Sequence, residues 1–103
     1  MSRIDQLTAF LKESPTDSFL QHALALEYQK RGDLAQARFL FEKLLKENPG
    51  YVGSYYHLAK LLEGLGEDAG ALSVYEQGMQ QAKLQNDHHA LSELRSAWEE
   101  LSF

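Results

Sequence analysis

The sequence has no cysteine. Disulfides and thiolate metal sites are therefore excluded, and a cytoplasmic location is the compartment this fits. No apolar run approaches the ~20 residues that a membrane span requires. The opening Met1-Ser2-Arg3-Ile4-Asp5-Gln6 lacks an apolar signal core, so no secretion is expected. A basic surplus is missing as well: ten Lys and Arg face fifteen Asp and Glu, giving a net charge of -5. Phosphate contacts supply much of a nucleic-acid binder's affinity and call for a basic stripe, so nucleic acid is not an expected partner. An anionic membrane surface is disfavoured on the same ground. The deficit lies in the second half. Bases and acids balance at seven each through Gly50, whereas from Tyr51 onward only Lys60, Lys83 and Arg95 face eight acids.

Two further absences narrow the function. There is no Gly-rich phosphate loop, and no Ser, His and acid set that spacing would bring together, so an enzyme is not expected. No segment alternates apolar and polar residues long enough to argue for a strand. What remains is helix. With 103 residues and 44% apolar content, one folded domain spanning 1–103 is the expectation. Turn signals at Ser14-Pro15, Gly32-Asp33, Asn48-Pro49-Gly50, Gly66-Glu67-Asp68 and Asn86-Asp87 divide it into six segments. Each carries apolar residues at three- and four-residue spacing, such as Ile4, Leu7, Phe10 and Leu11 in the first and Leu91, Leu94, Trp98 and Leu101 in the sixth. Thr16 or Asp17 can cap the second helix, Asp33 the third, and Asn86 or Asp87 the sixth. Gly32 and Gly66 sit just past helix ends, where a left-handed residue is easiest for glycine. Pro49 closes the third helix.

Sliding the chain by 34 residues reveals an internal repeat. Leu24-Ala25 falls on Leu58-Ala59, Gly32-Asp33 on Gly66-Glu67, Ala37 on Ala71, and Phe41-Glu42 on Tyr75-Glu76. Leu11 through Pro15 falls on Leu45 through Pro49 in the same register. This period and these residues resemble the tetratricopeptide repeat (TPR) family. Its first-helix signature is held by Gln21, Leu24, Ala25 and Tyr28, without the leading aromatic, and then by Tyr55, Leu58, Ala59 and Leu62. Its second-helix signature is held by Ala37 and Phe41, then by Ala71 and Tyr75. The closing proline is Pro49 in one repeat, but Lys83 stands there in the next, so the fifth helix is expected to run longer.

The resemblance implies an all-α fold, an α-solenoid of antiparallel helix pairs with about six helices in a right-handed superhelical stack. Repeats are expected over 18–51 and 52–85, a half-repeat helix over 1–14, and a capping helix over 87–102. Close helix approach calls for small residues, supplied by Ala25 with Ala37 and by Ala59 with Ala71 and Gly78. Arg3, in the place of Ala37, and Arg95, at the small-residue place of the last helix, lead to the expectation that no further helix packs at either end. Tyr28, Tyr55 and Tyr75 are expected in the core, and Trp98 over the flank of the fifth helix. Phe39, Leu40 and Val74 fall on the outward second helices.

In this family the first helices present a concave face to peptides or partner proteins. Carried over by position, that face comprises Phe19, His22, Leu26 and Lys30 from one repeat and Tyr56, His57, Lys60 and Glu63 from the next. The closing helix adds His89, with Ser92, Ser96 and Glu99. The expected function is a non-catalytic protein-interaction module without a cofactor. A TPR subclass that clamps chaperone C-terminal carboxylates uses the places of His22, Leu26 and His57. Leu26 cannot bind a carboxylate, so that activity is not expected. Glu63, Glu99 and Glu100 point instead to a neutral or basic ligand segment. Two alternatives stand beside this reading. One is a self-associating homodimer using exposed residues such as Phe39. The other is a metal site at His22, His57 and His89, against which no pair has the i, i+4 spacing of a helical zinc site.

Overall fold

A computed structural model describes residues 1–103. It contains α1 (Arg3–Glu13), α2 (Ser18–Lys30), α3 (Leu34–Glu47), α4 (Gly53–Gly64), α5 (Asp68–Leu84) and α6 (His88–Ser102), and no strand. All six expected helices form. With Lys83 where α3 is stopped by proline, α5 reaches 17 residues against 14.

Short polar side chains start four of the helices. Ser2 and Asp5 form a reciprocal capping box on α1, with Ser2 Oγ accepting from the Asp5 N–H at 3.1 Å. Asp17 caps α2 by accepting from the Leu20 N–H at 3.0 Å, and Asp33 caps α3 through Gln36 at 3.3 Å. Asp87 caps α6 through the Ala90 N–H at 3.0 Å. Its neighbour Asn86 has another task, because it adopts the left-handed conformation at φ 56°. Gly32 at φ 83° and Gly66 at φ 78° do the same after α2 and α4. At all three places the next N–H returns to a carbonyl of the last turn at 2.9 Å: Asp33 to Tyr28, Glu67 to Leu62, and Asp87 to Ala82. This is the double-bonded glycine-type helix stop. Because the donor residue is itself the start of the next helix, exit and re-entry share one short turn. The chain then folds back on itself, α2 against α3, α4 against α5, and α5 against α6.

The helices form two compact units, Met1–Asn48 and Pro49–Phe103. In the first, Ala25, Ala37, Phe41 and Leu44 have no exposed surface. Ile4 and Leu7 of α1 join Leu24 in a buried cluster, flanked by Leu11, Leu20, Ala23, Tyr28 and Leu40. Of the two apolar neighbours on the outward second helix, Leu40 packs against this cluster, and Phe39 beside it stays 59% exposed. Tyr28 is half-buried at the cluster's edge rather than fully in the core.

Gln21 explains the missing aromatic. Its side chain is buried, and Nε2 donates to the Pro15 carbonyl at 2.9 Å and to Glu47 Oε1 at 3.2 Å. One repeat later Tyr55 is also buried, and its hydroxyl donates to the Pro49 carbonyl at 2.6 Å. Different side chains therefore make the same tie to the proline turn six residues earlier, and each satisfies its own buried polar group. Asn48 Nδ2 adds a bond to Ser18 Oγ at 2.9 Å, joining the end of α3 to the start of α2.

In the second unit Ala59, Ala71, Tyr75 and Ala82 are fully buried beneath Leu58, Leu61, Leu62 and Leu94. Gly78 lies mid-helix in α5. A Cβ there would stand 2.7 Å from Tyr55 Cβ and 3.0 Å from Leu94 Cδ1. Its closest neighbours are thus Tyr55 on α4 and Leu94 on α6, rather than Ala59. The buried small residue of α6 is Ala97, while Arg95 is exposed. Arg3 is exposed as well, with Nε 3.9 Å from Glu27. Trp98 is half-buried, and its Nε1 is a buried donor without a partner, so the ring contributes apolar area and no hydrogen bond.

Gly78→Ala is expected to destabilise the fold by about 1–3 kcal/mol despite alanine's better helix propensity, because Tyr55 and Leu94 would have to move. Gly64→Ala, in the same unit with open space around its Cβ, is expected to be neutral or to gain up to about 1 kcal/mol. Urea melts followed by circular dichroism separate the two. Equal midpoints for both variants would refute the close-approach explanation.

Candidate functional site

On α2 the steps from Phe19 to His22, Leu26 and Lys30 keep these residues on one helix face. Phe19 is 65% exposed, while His22 and Leu26 are half-buried. The His22 ring meets Phe41 edge-on at 5.8 Å. Lys30 is exposed and stands 3.8 Å from Glu27.

The corresponding face of α4 repeats this arrangement with different chemistry. Tyr56, one repeat after His22, meets Tyr75 edge-on at 6.4 Å, as His22 meets Phe41. Tyr75 carries a hydroxyl where Phe41 has none, and this hydroxyl donates to Glu63 Oε2. The same Glu63 oxygen lies 3.6 Å from Lys60 Nζ, and Lys60 Nζ lies 5.7 Å from the centre of the Tyr56 ring. A closed circuit results, running from Tyr75 to Glu63, Lys60 and Tyr56. Burial, reinforced by the Glu63 carboxylate, pushes the Tyr75 phenol far up, so it remains a proton donor to Glu63.

Between α4 and α6 this face opens into a cleft of about 300 Å³. Tyr56 and Lys60 line it from α4; His89, Ser92, Glu93, Ser96, Ala97 and Glu100 line it from α6. A second cleft of about 330 Å³ is lined by Val52, Gly53, His57, Ala90 and Leu94, and it shares Tyr56 and Glu93 with the first. His89 Nε2 stands 3.3 Å from Glu93 Oε1. His57 is half-buried: burial pushes its imidazole down, and the Glu93 charge opposes this only in part.

Of the residues expected from position, Tyr56, Lys60 and His89 therefore share one cleft, His57 lines its neighbour, and Glu63 braces Lys60 from behind. Ser92 and Ser96 also line the first cleft, but Glu99 does not; its place is taken by Glu100. Glu93 and Ala97 were not foreseen. Both stand at four-residue steps from His89, as Ser96 and Glu100 do from Ser92. No three His, Asp or Glu side chains stand together in a way that could hold a metal ion. His22 is engaged with Phe41 and His89 with Glu93.

The lowered His57 value has a consequence for stability. The unfolded chain takes up this proton near the ordinary value of 6.5, and the folded chain only at lower pH. Protons therefore favour unfolding within that window, and the contribution of His57, intact above pH 6.5, is lost as pH falls below it. His57→Gln is expected to lose less stability than the native chain between about pH 7 and 5, as measured by urea midpoints across that range. Parallel curves for the two proteins would contradict this.

Comparison with known proteins agrees with the geometry. The tetratricopeptide repeat family profile matches residues 28–95. A tetratricopeptide repeat domain protein from Salinibacter ruber, solved by NMR, is 40% identical, with a TM-score of 0.82 over 84% of this chain and 88% of its own. A TPR repeat-containing protein of Pseudomonas aeruginosa is 26% identical over 91 residues, 88% of this chain and 87% of the relative. The TPR2B domain of yeast Sti1, solved in a complex with pHsp70, superposes with a TM-score of 0.88 over 96% of this chain and 79% of its own, at 19% identity, which speaks to the fold alone. With the 34-residue period, the paired glycine stops and the buried alanines, these matches show that the chain belongs to the tetratricopeptide repeat family.

Proposed function

We propose that the chain is a non-catalytic docking module that receives a protein or peptide partner on the first-helix faces of its repeats, with the α4–α6 cleft as the principal seat. Within this reading α1 and α6 are the terminal half-repeats of one domain spanning 1–103. Repeats of this family generally mediate protein–protein interaction. The observation that carries the proposal here is the circuit through Tyr75, Glu63, Lys60 and Tyr56. It fixes an aromatic ring and a charged side chain at the mouth of an open cleft, and such pre-ordered groups lose little entropy when a ligand arrives. Capture of a chaperone carboxylate is not part of the proposal. Leu26 offers no donor, and burial holds His57 toward its neutral form.

A second reading, self-association, has one observation in its favour. Phe39 is 59% exposed beside Glu42, Lys43 and Lys46 at a surface depression of about 350 Å³. Light scattering over a dilution series tests it directly, and a mass that stays monomeric removes it.

The docking proposal is tested by affinity capture from native lysate, read by mass spectrometry, beside a variant carrying His22→Ala, Tyr56→Ala and Lys60→Ala. The expected outcome is a partner held by the native chain and lost by the variant, while circular dichroism shows both folded. A partner retained equally by both would move the site off these faces.

A further inference from the structure

The charges around the α4–α6 cleft indicate what kind of side chain it receives. We infer, building on the docking role above, that the partner segment enters this cleft with a lysine or arginine, received by Glu93 and Glu100. The bases lining the cleft are already engaged from within the chain. Lys60 Nζ lies 3.6 Å from Glu63, whose carboxylate also accepts the Tyr75 hydroxyl. His89 Nε2 stands 3.3 Å from Glu93 Oε1, which leaves the second carboxylate oxygen of Glu93 for a guest. Glu100, by contrast, is exposed and pairs with no cation; its charge reaches the Tyr75 phenol, whose hydroxyl already donates to Glu63.

Two further features fit a cationic, hydrogen-bonding guest. Ser92 and Ser96 line the cleft with hydroxyls that make no bond within the protein, leaving donors and acceptors free for a peptide backbone or a guanidinium. The Tyr56 ring, with one ammonium group already 5.7 Å from its centre, presents the negative face that attracts positive charge. An anionic guest would meet Glu93 and Glu100 with no uncommitted base to offset them. The surroundings act in the same direction, since the chain from Tyr51 onward carries eight acids against three bases.

Selection of phage-displayed random octapeptides on the full-length protein tests this without a known partner. Enriched peptides should carry Lys or Arg at a recurring position and bind more weakly as salt is raised. Each should lose about tenfold in affinity on a Glu93→Gln/Glu100→Gln variant, whose fold circular dichroism checks, both side chains being exposed. Enrichment of acidic or uncharged peptides, no enrichment at all, or unchanged affinity for the double variant would each overturn the inference. Tyr56→Ala separates this inference from the docking role beneath it. Peptides that need Tyr56 but ignore the two glutamates would leave docking in the cleft standing and remove only the cationic guest. Peptides indifferent to all three residues would remove both.

Discussion

The missing side chain at Gly78 is the constraint on which the second unit depends. Tyr55 from α4 and Leu94 from α6 both press against that point of α5, and any Cβ would stand closer to Tyr55 than carbon atoms tolerate. A helix interior normally disfavours glycine by about 1 kcal/mol. Here that cost is offset by the close approach of two neighbouring helices to one surface, which leaves α4 and α6 near enough to share a cleft. The cleft is therefore a product of core packing. Its walls stand on the same helices that bury Leu58, Ala59, Leu94 and Ala97, and Ala97 itself also lines it.

The two repeats show how one backbone plan carries different chemistry. At three pairs of positions the contact is conserved in geometry while the residue changes: Gln21 and Tyr55 on a proline carbonyl, His22 and Tyr56 edge-on to a core ring, and Phe41 and Tyr75 as that ring. Only the second member of the last pair has a hydroxyl, and from it follows the circuit that orders Glu63 and Lys60. Leu26 and Gln29 stand one period before Lys60 and Glu63, so the first repeat lacks the charged members of the circuit as well as its hydroxyl.

Much of this was legible in advance, for physical reasons. Left-handed turn residues and acidic caps leave local signals, so Gly32, Gly66, Asp17 and Asp33 marked the helix boundaries. The period placed Tyr55, Tyr75 and the buried alanines, because the same packing problem recurs at each repeat. What escaped depends on contacts that no periodicity encodes. Leu40 and Phe39 are adjacent apolar residues of α3, and only the packing against the Ile4, Leu7 and Leu24 cluster tells them apart. Gln21 replaces an aromatic through a hydrogen bond rather than through shape. On α6 the register of the cleft-facing rows is set by Leu94 against Gly78, which decides between Glu99 and Glu100. Spacing alone permits either.

Tyr56 and Glu93 form a wall common to two clefts. Because the Tyr56 ring is held by its edge-on contact with Tyr75 and by Lys60, that wall belongs to the core as much as to either cleft. A substitution at Tyr56 or Glu93 therefore reshapes both chambers at once, and neither can be altered from this wall without the other.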